Sequence, residues 1–157
     1  MSKYTLSALV LATLFAGSLG LTACSSNAEK TANATNSQLD DRAKLMRDWR
    51  QANESMKAMI ENPASFDAAA FKERADFIAK TADTMWPYFE GEVSKGGDAK
   101  DTVWTDAAGF KAKADEFTAA AAALSAAAAN ATSAADVEQL YKQMASSCGS
   151  CHKEYKN

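Results

Sequence analysis

The sequence predicts an all-α protein folded as an antiparallel up-down-up-down four-helix bundle. Three observations carry this expectation. Apolar residues recur every three to four positions over four long stretches, the 157 residues hold only two Pro and seven Gly, and only one break between stretches is long. Hydrophobic residues make up 47% of the chain, enough to build a core.

The first helix is expected over residues 37–61. Leu39, Met46, Trp49, Met56 and Met59/Ile60 form its apolar stripe, while Asp40, Asp41, Arg47, Asp48, Arg50 and Lys57 fall largely on other faces. Ser37 caps it and Asn62-Pro63 stops it. The second helix starts after Ser65 and presents Phe71, Ile78, Ala82 and Met85. It ends at Trp86-Pro87, because proline disfavours helical geometry in the residue before it. Residues 88–103 carry Gly91, Gly96 and Gly97 with no sustained period and form the longest loop.

The third helix is expected from Thr105-Asp106. Ala107, Phe110, Ala114, Phe117, Ala121, Leu124 and Ala128 make a bundle seam whose alanines let neighbouring backbones approach closely. The run Ala119–Ala129 lies inside that seam and reads as helix, not as low-complexity sequence. Ser133 caps the last helix, with Val137, Leu140/Tyr141, Met144, Cys148, Cys151 and Tyr155 on its inner face.

The front of the chain reads as a targeting segment. Lys3 precedes the uncharged apolar run Thr5–Leu21, of signal-peptide length. Leu21-Thr22-Ala23-Cys24 resembles the lipobox of bacterial lipoproteins, which implies removal of residues 1–23 and lipidation of Cys24; a plain secretory signal cut near Ala23, leaving Cys24 an ordinary thiol, and a transmembrane anchor are the competing readings. Ser25 follows, with no aspartate to resemble an inner-membrane retention signal, so the expected location is the periplasm, lipid-anchored to the outer membrane of a Gram-negative bacterium. Residues 24–37 are small and polar and read as a flexible tether, leaving 38–157 as the bundle domain. The formal net charge of −3 argues against a nucleic-acid partner.

Chemistry concentrates at Cys148-Gly149-Ser150-Cys151-His152, which holds the only histidine of the chain. C-x-x-C-H is the attachment signature of c-type haem: two thiols one helical turn apart can add to the two vinyl groups of the porphyrin, and the next imidazole can bind the iron. A C-x-x-C disulfide, a thioredoxin-like redox pair and a zinc site are the competing readings. A redox pair lacks its βαβ setting, zinc lacks a fourth ligand, and none of the three gives the histidine a task.

The motif sits on the last helix, and there the sequence resembles the cytochrome c′/cytochrome c556 family of four-helix-bundle c-type cytochromes. The motif and the following Tyr155-Lys156 resemble the family's C-x-x-C-H-x-x-Y-[RK] ending. Trp86-Pro87 resembles the close of its second helix, and Val103-Trp104 with Phe110 the opening of its third. Arg42-Ala43-Lys44-Leu45-Met46 resembles its arginine and distal residue, although Ala43 departs from a glutamine often found there.

The resemblance implies one covalent haem c on Cys148 and Cys151, with His152 as proximal ligand, Arg42 as partner of a haem propionate and Met46 at the distal position. On spacing alone a methionine such as Met46 is more often core filler than a ligand, and Met56 and Met59 stand on the same helix. Arg42 could equally be a solvated arginine paired with a nearby aspartate. Trp49, Trp86 and Trp104 are expected beside the haem or in the core, and Lys156 near the proximal side.

The function expected is a single-electron carrier with low-spin His152/Met46 ligation, exchanging electrons with a redox donor and acceptor and performing no enzymatic turnover. The alternative is a five-coordinate cytochrome c′ that binds NO or CO. A homodimer is compatible with either.

Overall fold

The computed structural model describes residues 25–157, with side chains described from Ser37 onward. The expected signal segment 1–23 and Cys24 lie outside the described residues. The helices are α1 (Ser25–Glu61), α2 (Ala68–Met85), the single turn α3 (Thr102–Thr105), α4 (Ala107–Ala128) and α5 (Glu138–Tyr155). The four long ones form the bundle, and among the described residues the only β-pairing is an isolated antiparallel bridge between Ala99 and Lys156.

Helix α1 starts at Ser25, ahead of the expected Ser37, so the stretch read as a flexible tether is helical from that residue. The reason is local. Residues 25–37 contain Ala, Glu and Lys but neither Gly nor Pro, so nothing interrupts propagation from the packed part of the helix.

Helix α2 begins at Ala68, after the short 3-10 turn that Ser65 closes, and is capped by Asp67, whose carboxylate accepts from the amides of Ala69 and Ala70. It ends at Met85, just before the Trp86–Phe89 turn that contains Pro87. The third expected helix divides at Asp106. Helix α3 precedes it, and Asp106 then caps α4 by accepting from the Gly109 amide. Ala107, expected in the seam, therefore stands exposed in the first turn of α4. Ser133 and Asp136 form a capping box, but around a 3-10 turn that leads into α5.

The core follows the stripes. Phe71, Ile78 and Met85 of α2, Leu124 of α4, Met144 of α5 and Met56 of α1 are the large side chains most fully withdrawn from solvent. Each contributes roughly 1.5–3 kcal/mol through burial. Ala82, Ala121 and Ala128 are also buried and keep α2, α4 and α5 close. Between α2 and α4, Ser125 donates to Asp76 at 2.6 Å. Helix α2 packs along α1 and α4, and α4 along α5, while α1 and α5 barely touch. The functional cavity opens where those two part.

Candidate haem site

The cavity measures about 690 Å³ and its wall is mainly apolar. Helix α1 supplies Leu39, Ala43, Met46, Trp49 and Asn53 together with the cations Arg42, Arg47 and Arg50, and α5 supplies Met144, Ser147, Cys148, Cys151, His152 and Tyr155. Ile78, Trp86, Phe89, Phe110 and Phe117 close its inner side. Every candidate cofactor residue within the described part of the chain thus meets at one place.

Cys148, Cys151 and His152 project together because a three-residue step nearly completes a helical turn. Both cysteines are free thiols, so the disulfide alternative is not what the structure contains. Burial pushes the Cys148 thiol up to about 11 and raises Cys151 as well. Both are therefore protonated near neutrality and weakly nucleophilic. Desolvation, then the Lys156 ammonium, lower the pKa of His152 and favour the neutral imidazole that a metal requires. Among the described residues no group of three or more His, Cys, Asp or Glu is placed to hold a metal ion, which leaves zinc without a ligand set.

The methionines of α1 separate clearly. Met56 and Met59 belong to the core, 0% and 8% exposed, whereas Met46 is half-buried and lines the cavity. Trp49 and Trp86 also line it, with ring centroids 6.1 Å apart. Their indole N–H groups are satisfied by Thr81 at 2.7 Å and Thr118 at 3.1 Å. Trp104 does not reach the wall; it donates to the Phe89 carbonyl at 2.9 Å and fastens the loop.

Arg42 is not a solvated surface arginine. It is 6% exposed, donates to the carbonyls of Ser94 at 3.0 Å and Gly96 at 2.7 Å, and lies 4.5 Å from the centroid of the Phe89 ring. Its place on the wall keeps it among the candidate cofactor-binding residues, with a loop-holding task the sequence did not suggest. Lys156 also lines the cavity, paired with Asp98 at 3.1 Å.

Sequence reasoning missed Asn53, which lines the cavity with its side-chain oxygen buried and unpaired. The available signal was its spacing of two turns from Met46 on the inner stripe. It also missed Gly97, Asp98 and Ala99 of the loop, because no helical period locates a loop in space.

A mainly apolar cavity with two free thiols and a neutral imidazole at helical spacing fits a porphyrin attached through thioether bonds and held by one histidine. Fold and site together define a c-type haem protein of the four-helix-bundle kind. The family model described as Cytochrome C' matches residues 37–156, and the chain belongs to that family, which carries a covalently attached c-type haem.

The cytochrome c' of Alcaligenes xylosoxydans xylosoxydans is 33% identical over 104 residues, covering 64% of this chain and 78% of its own. Among solved structures, cytochrome c prime from Shewanella frigidimarina is 29% identical with a TM-score of 0.72, over 78% of this chain and 96% of that one. Variants of Alcaligenes xylosoxidans cytochrome c prime, solved as a nitric oxide complex and with carbon monoxide bound, are each 27% identical with a TM-score of 0.71, over 78% of this chain and 96% of theirs.

Proposed function

We propose that this chain is a cytochrome c′ of the bacterial cell envelope, with iron held by His152 and a distal face beside Met46 that takes a small uncharged gas such as nitric oxide or carbon monoxide. One observation carries the reading: over its whole bundle domain the chain matches relatives solved with those two gases bound. When bound, the haem supplies an iron that accepts a ligand on each face and exchanges single electrons.

The chain's own residues do the rest. Cys148 and Cys151 would hold the porphyrin on α5 through thioether bonds, and the neutral His152 ring would offer its nitrogen lone pair to the iron. Leu39, Ala43, Met46 and Trp49 supply the apolar part of the α1 wall, between the cationic Arg42, Arg47 and Arg50, and an apolar surface there suits a small uncharged gas. Substrate turnover is not part of this reading.

A second reading has its own support. Met46 is the α1 methionine on the cavity wall, and its thioether on the iron would give a low-spin electron carrier. Absorption spectra of the oxidised and reduced holoprotein, with and without carbon monoxide, separate the two when repeated on Met46→Ala and Met46→Leu. A high-spin protein that takes up carbon monoxide, with its spin state insensitive to both substitutions, supports gas binding. A low-spin protein that resists carbon monoxide and turns high-spin in both variants overturns it in favour of His152/Met46 ligation.

The apolar front segment and Cys24 support export and lipid anchoring at the outer membrane. Incorporation of a labelled fatty acid into the wild-type chain and its absence from Cys24→Ala is the outcome expected of such an anchor. Redox partners and a homodimer are part of the second reading and compatible with the first, respectively.

A further inference from the structure

The long connection before α3 holds both helices that flank the cavity. At one end Arg42 of α1 grips the carbonyls of Ser94 and Gly96. Gly97, at φ 61°, lies under the same guanidinium: a Cβ there would stand 3.2 Å from the Arg42 Nη2 atom. At its other end the connection meets the last turn of α5, immediately after His152.

An α-helix leaves its last four carbonyls without intrahelical partners. In α5 the His152 carbonyl still accepts from the Lys156 amide at 3.0 Å. The next three are supplied by the connection. Lys153 accepts from the Lys100 ammonium at 3.0 Å, Glu154 from the Thr102 hydroxyl at 3.1 Å, and Tyr155 from the Lys100 amide at 3.0 Å. Beyond them the Asn157 amide donates to the Asp98 carbonyl at 2.9 Å, beside the Ala99–Lys156 bridge. No other segment of the described residues donates to these three carbonyls among the observed hydrogen bonds.

We propose that residues 94–102, the end of the connection with the first residue of α3, form a strap that positions His152. By completing the final turn of α5 the strap fixes the backbone from which His152 projects, and Arg42 anchors it to the helix that carries Met46. The segments of α1 and α5 that carry Met46 and His152, the residues flanking the place the haem would take, are thereby linked by a continuous set of bonds. Arg42, Lys100 and Thr102 are positioning residues that act through the strap and not on the iron. The proposal rests on His152 as a ligand.

The chain has a single histidine, so ¹⁵N-histidine labelling of the holoprotein gives NMR signals from His152 alone. Ferric spectra would be compared for wild type, Thr102→Val, Lys100→Met and Arg42→Gln. Thr102→Ser serves as rescue, and Thr84→Val, which removes a hydroxyl bond to the Thr81 carbonyl within α2, serves as control. The expected result is that the iron-shifted His152 nitrogen signals move in the three strap variants, return in Thr102→Ser and stay in place in Thr84→Val.

Strap variants that lower the unfolding midpoint while leaving those signals where wild type has them would overturn the strap. Wild-type signals without any iron-induced shift would instead defeat His152 ligation itself.

Discussion

The Tyr155 hydroxyl donates to the Asp106 carboxylate at 2.9 Å, joining the end of α5 to the cap of α4. Burial, and then that carboxylate, push the Tyr155 phenol up to about 12. The pair meets beside Gly109, where a Cβ would stand 2.6 Å from the Tyr155 oxygen and closer still to the Asp106 carboxylate.

Gly109→Ala should therefore depart from the usual helix rule. In an open helix interior the exchange stabilises by roughly 1 kcal/mol. Here it displaces the Tyr155–Asp106 pair, and a lower urea midpoint than wild type is expected. A midpoint above wild type would show that the pair relocates freely.

The two kinds of methionine on α1 should respond in opposite ways. Met56 is 0% exposed in the core, and Met56→Ala should cost about 2–5 kcal/mol with the haem spectrum unchanged. Met46, on the cavity wall, should cost less when truncated and should be the variant that alters carbon monoxide uptake. Denaturant unfolding and gas titration of both variants check the division.

Acid should loosen the contact between α2 and α4. Hydrogen bonds from Lys72 and then Ser125 hold the Asp76 carboxyl below its ordinary value in the folded protein. The unfolded chain, with an ordinary aspartate near 3.9, binds the proton first as pH falls. The contribution is thus fully present above about pH 4 and is lost as pH falls through the folded value. Asp136 follows the same sign, held low chiefly by the amides of Thr132 and Ser133. Asp76→Asn should be less stable near neutrality and show a shallower loss between about pH 4 and pH 2, measured by urea unfolding at each pH.

Haem attachment should divide between the two thiols that share the cavity with His152. Cys148→Ala and Cys151→Ala should each retain haem through one thioether bond, with the reduced pyridine haemochrome band moved to longer wavelength. The double variant should lose haem-linked peroxidase staining on a denaturing gel. Retention of stain by the double variant would point to another attachment residue.

Four apolar stripes and two prolines determined the four long helices and the core, and a late C-x-x-C-H placed the candidate attachment residues on the last of them. Those signals are local: a 3.6-residue period, a missing amide and a one-turn spacing need no knowledge of distant residues. Phe71, Ile78, Ala82 and Met85 are all buried as their stripe implies. Helix starts were less legible. The helical state of residues 25–37 reflects propagation from the packed part of α1, and the cap of α2 falls on Asp67 because the 3-10 turn Pro63–Ser65 comes first.

Only the tertiary structure decided what separates one methionine from another. Met46, Met56 and Met59 share a helix and a hydrophobic stripe, and their roles diverge because α1 leaves α5 over part of its length and opens the cavity there. It likewise decided that Arg42 is buried against loop carbonyls and that Lys100 and Thr102 cap the turn bearing His152. Such contacts join residues some fifty positions apart. They follow from where the chain returns in space, which periodicity along one helix does not encode.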